Sequence, residues 1–159
     1  MSTRNRVGVY NEDMALGKRS FLALAAVGWA DGSLQRIEAT GILRAAREWD
    51  VSEADLAEIE AAVKKKSQAI DELELGGMSA WDQVMTYALA AWLAQLDGVV
   101  STDENVVLVS LAEKLGLSET TRKKAFAAVY DIACLPEGGR PEKYDFAKLT
   151  ARLAERLPR

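Results

Sequence analysis

Histidine is absent from this chain, and cysteine occurs only once, at Cys134. The first absence removes Ser-His-Asp triads, Cys-His dyads, imidazole acid–base chemistry and most zinc sites. The second removes any intrachain disulfide, so an oxidising compartment is not required. With no partner cysteine and no histidine, Cys134 gives no indication of thiol chemistry. Glycine-rich phosphate loops and Gly-x-Ser-x-Gly elbows are missing as well. The longest uncharged stretch, Gln83 to Leu96, falls short of the roughly 20 apolar residues that span a bilayer. The opening MSTRNRVGVYNED has no apolar signal-peptide core. A cytoplasmic protein that does not span a membrane is therefore expected. The net charge of -4 argues against nucleic acid or an anionic lipid surface as a partner.

Proline is nearly absent too. Its three occurrences are Pro136, Pro141 and Pro158, which leaves 135 residues without one. What fills that stretch is rich in Ala, Leu, Glu and Lys, all helix formers. Leu22, Ala25, Ala26 and Trp29 recur at one-face helical spacing, as do Ile42, Ala45, Ala46 and Trp49. Leu108, Leu111, Ala112 and Leu115 form a third stripe, and Phe146, Leu149, Leu153 and Leu157 a fourth. Ser52, Ser79, Ser101 and Ser118 stand where helix caps belong, and Ser101 with Glu104 matches a capping box. Gly32, Gly98 and Gly116 suit left-handed helix ends. Pro141 suits the first turn of a last helix over about 142–157. The expectation is an all-α single domain of six to seven helices, covering residues 14–159 after an N-terminal extension of 1–13.

The chain also repeats itself. A shift of 66 positions lays Asp31-Gly32 on Asp97-Gly98, Glu38 on Glu104, Ser52-Glu53 on Ser118-Glu119, and Ala61-Ala-Val63 on Ala127-Ala-Val129. The register holds without a gap from Ser20/Thr86 to Val63/Val129. One copy then covers about 20–66 and the other about 86–133, each a helix, an Asp-Gly turn, a second helix, a short turn and a third helix. The first helix of each copy carries almost no charge and must be covered on most sides. The two are expected to pack centrally about a pseudo-twofold axis, with Ala25, Ala26, Gly28, Ala88, Ala90 and Ala91 allowing close approach. Trp29, Trp49, Trp81 and Trp92 supply core bulk. Lys64-Lys-Lys66 reads as a solvated helix end.

Four acids hold equivalent places: Asp31 and Glu38 in one copy, Asp97 and Glu104 in the other. Two readings of them stand. Asp-Gly is a common turn dipeptide and a first-turn Glu suits the helix dipole, so the acids serve local structure. Alternatively they gather around a hard divalent cation, calcium, magnesium or manganese, which would relieve their mutual repulsion. The spacing is not that of an EF-hand. Asp103, opposite Ile37 in the first copy, makes the second copy the better candidate.

Ala26-Val-Gly-Trp-Ala-Asp-Gly-Ser-Leu-Gln-Arg-Ile-Glu38 resembles the signature of the TerB-like (tellurite-resistance) family: a small-residue helix ends in Ala-Asp-Gly, and a Glu follows. Ala94-Gln-Leu-Asp-Gly-Val-Val-Ser-Thr-Asp-Glu104, with Leu111-Ala-Glu-Lys-Leu-Gly-Leu117, resembles a second copy. The resemblance covers approximately residues 14–133. It implies an all-helical fold with internal pseudo-twofold symmetry, and metal binding at Asp31, Glu38, Asp97 and Glu104. Gln35 and Arg36 depart from the polar, often acidic start of the first copy, and Leu96 from the small residue before Asp97.

The function this implies is a non-enzymatic stress-response module, binding a divalent cation and scaffolding other proteins of a stress-response complex. The alternative is a metal-independent helical interaction or self-association domain. A hydrolase built on the four acids is disfavoured, because di-metal carboxylate bundles add histidine ligands. Direct tellurite reduction would need paired thiols or a redox cofactor, and neither is visible.

Overall fold

The structure, a computed structural model, describes residues 16–30, 32–65, 73–75, 78–96, 102–136, 140–141 and 143–156. Among the described residues there are seven α-helices and no strand: α1 Lys18–Gly28, α2 Arg36–Glu48, α3 Glu53–Lys64, α4 Ala80–Ala94, α5 Thr102–Leu115, α6 Glu119–Ala133 and α7 Phe146–Arg156. They pack as one helical bundle.

Local chemistry sets most of the helix ends. Ser52, Ser79 and Ser118 each accept a backbone N–H three residues on, from Asp55, Asp82 and Thr121, all at 3.1 Å. Each hydroxyl satisfies one of the free donors of a first helical turn. Ser101 and Gly98 lie outside the described residues, so the expected cap and turn there do as well. Lys64 ends α3 and is exposed, as the basic run requires.

Helices α2 and α5 end in the same way. Val51 N–H reaches the Ala46 carbonyl and Asp50 N–H the Arg47 carbonyl; Leu117 reaches Ala112 and Gly116 reaches Glu113. This is the Schellman pattern, which needs one left-handed residue after the helix. Gly116 supplies it in α5 with φ 75°, and Asp50 in α2 with φ 56°. Gly32 is also left-handed, with φ 98°, but it lies four residues past the end of α1 at Gly28 and does not itself end the helix. Asp50 was not marked by the sequence, because aspartate only occasionally takes this conformation.

The two low-charge helices sit at the centre, packed against each other. Every residue of α4 from Val84 to Ala94 is buried, whereas Leu22 and Ala26 on α1 are only half-buried. Helix α6 packs along α4, and the C-terminal segment covers its end. Trp92 on α4 lies 4.9 Å from the Tyr144 ring and 5.0 Å from the Phe146 ring, centroid to centroid. Phe146 in turn meets Trp49 at 5.6 Å, and Trp49 meets Phe21 at 6.5 Å. One aromatic core thus joins α1, α2, α4 and the start of α7. Trp29 is half-buried and its indole N–H donates to the Ala62 carbonyl at 2.9 Å, tying the end of α1 to α3.

The last helix starts later than Pro141 suggests. Asp145 caps it, accepting the Lys148 N–H at 3.0 Å. A helix running from 142 would have claimed the Pro141 and Tyr144 carbonyls, but both accept from the Arg44 guanidinium, at 3.1 and 2.6 Å. Tyr144 is fully buried and donates its hydroxyl to the Val129 carbonyl at 3.1 Å. The tertiary partners of this segment hold it out of the helix. Phe146, Leu149 and Leu153 are buried along α7 as their spacing predicts, while Leu157 lies outside the described residues.

Candidate functional site

Glu38 and Glu104 are both 4% exposed. Each stands in the first turn of its helix, α2 and α5, 66 positions apart in the chain. Burying a carboxylate is costly unless hydrogen bonds or opposite charges meet it. One such bond is local: Glu38 Oε1 accepts the Gln35 backbone N–H at 2.8 Å. Gln35 therefore does not spoil the start of α2; Gln-x-x-Glu works there as a variant of the capping box. That half of the local-structure reading is met for Glu38.

What surrounds the two acids depends on how the helices cross. A Cβ added to Gly41 would lie 3.0 Å from Trp92 and 3.1 Å from Leu96. Gly41 shares a face of α2 with Glu38, three residues away. The first turns of α2 thus rest against the end of α4, the residues that lead into Asp97. In turn α5, which carries Glu104, packs against α1 as well as α4. Each acid-bearing helix therefore touches both α1 and α4. Glycine at 41 makes this crossing possible, and sequence reasoning passed over it because its partner is about fifty residues away.

Gly28 has a different role from the expected one. Its open side faces Leu34, whose Cδ1 would lie 2.9 Å from an added Cβ, with Glu38 Oε1 at 3.9 Å. It makes room for the chain returning from the Asp-Gly turn, not for α4. The close contact between α1 and α4 falls elsewhere. Ser20 and Thr86 share a buried hydrogen bond of 2.8 Å between their hydroxyls.

Asp31 and Asp97 lie outside the described residues. No group of three or more His, Cys, Asp or Glu residues suited to a metal occurs among the described residues. Glu38 and Glu104 alone do not make a cation site, so any such site depends on the two aspartates. Cys134 is exposed and stands just past the end of α6, as its C-cap. The neighbouring Tyr130 is exposed too, and its phenol is pushed up by a hydrogen bond with Cys134. No helix among the described residues is long and apolar enough to cross a membrane. No protein-family model, curated protein or solved structure matches the chain.

Proposed function

We propose that the chain is a non-enzymatic, cytoplasmic module of the TerB-like kind, built from two copies of one three-helix unit and acting as a scaffold for partner proteins in a stress response. Its two Asp-Gly elbows would hold a hard divalent cation through Asp31, Glu38, Asp97 and Glu104. The observation that carries the reading is the crossing at Gly41, which sets the first turns of α2 against the end of α4. That crossing draws the Glu38 side of one elbow toward the chain entering the other. The equal burial of Glu38 and Glu104 supports it, as do the matched ends of α2 and α5. The Ser20–Thr86 contact joins two residues that the 66-residue register makes equivalent, as expected of positions on a twofold axis.

The test is thermal unfolding with calcium, magnesium and manganese in turn, each with a chelator control. At least one ion should raise the melting temperature, and Asp97→Asn should abolish the rise. A flat response to all three removes the cation and leaves the scaffold.

A second reading, a metal-independent interaction or self-association domain, is favoured by the hydrogen bond from Gln35 to Glu38. On that reading Glu38 serves its own helix. Partner binding would then be insensitive to chelator, and Glu38→Gln would weaken α2 without changing any ion response.

A further inference from the structure

We draw no further inference here: the strongest candidate, the cavity of about 230 Å³ between the N-termini of α1 and α4 bordered by Lys18, Arg19, Ser20, Ser79 and Asp82, rests on two helix N-termini whose side chains are engaged within the chain, Lys18 by Glu58, Arg19 by the Glu74 carbonyl and Ser20 by Thr86, with no second observation that points to a ligand.

Discussion

Ser20 on α1 and Thr86 on α4 are joined through their hydroxyls at 2.8 Å, in a contact closed to solvent and spanning 66 residues of sequence. The two small hydroxyl residues satisfy each other, and Met78 Sδ, 3.9 Å from the Thr86 hydroxyl, is a weak further acceptor. Removing one leaves the other buried with its main partner gone, which costs about 1–3 kcal/mol. Ser20→Ala and Thr86→Val should each destabilise the protein by that order. The double variant should lose clearly less than the sum, because no orphaned hydroxyl remains. Urea unfolding of all four proteins closes the cycle. Strict additivity would mean that the hydroxyls do not depend on each other.

The two close glycines should respond differently to alanine. At Gly41 the added methyl meets the Trp92 ring, which Tyr144 and Phe146 hold in place. At Gly28 it meets the end of the Leu34 side chain, which is flexible and half-buried. Alanine favours a helix interior by about 1 kcal/mol, and overpacking costs about 1–3 kcal/mol. Gly41→Ala should therefore destabilise by up to about 2 kcal/mol, with Gly28→Ala close to neutral. Equal midpoints in denaturant for the two variants would contradict the rigid crossing of α2 over α4.

The matched helix ends make a paired test of backbone strain. Gly116→Ala places a Cβ at φ 75° and should cost about 1–2 kcal/mol. Asp50→Gly removes a Cβ at φ 56° and should be neutral or slightly stabilising, since the relief offsets the greater freedom of unfolded glycine. Calorimetric melting temperatures moving in these opposite senses would support the shared ending. A large loss in Asp50→Gly would instead assign the aspartate side chain a role of its own.

Alkaline pH should weaken the fold through its buried phenols. Burial pushes the Tyr144 phenol far above its ordinary value, helped by the charge of Asp145 beside it. Burial raises Tyr87 as well, opposed by Arg122. An unfolded tyrosine ionises near pH 10, so above that pH the unfolded state holds fewer protons than the native one. The stability due to these groups is fully present below about pH 10 and falls as pH rises, by up to about 1.4 kcal/mol per pH unit for Tyr144. Tyr144→Phe should lose about 1 kcal/mol near pH 8, for its hydrogen bond to Val129, yet show a shallower decline between pH 10 and 11. Parallel declines in the two proteins, followed by urea midpoints, would count against a protonated Tyr144 in the core.

Much of the fold was legible because it is written in short-range chemistry. A serine before an apolar stripe, a glycine after one and a run of lysines at a helix end each act within four residues, so Ser52, Ser79, Ser118 and Gly116 sit where their types imply. The absence of charge from Gln83 to Leu96 implied a helix covered on most sides, and Val84 to Ala94 are all buried. At the candidate site, Glu38 was legible as a first-turn acid, but its depth was not.

The amino-acid order alone determined an all-helical chain, where most of its helices begin and end, and which acids hold matching places, since hydrogen-bonding caps and apolar periodicity are local properties. Only the tertiary packing decided that Gly41 lets α2 cross the end of α4, and that Arg44 takes the Pro141 and Tyr144 carbonyls and so delays α7. The same packing put Trp92, Tyr144 and Phe146 into one core and left α1 less covered than α4. These contacts join residues about fifty to a hundred positions apart, and their energy lies in the fit of one surface against another, which no local pattern encodes.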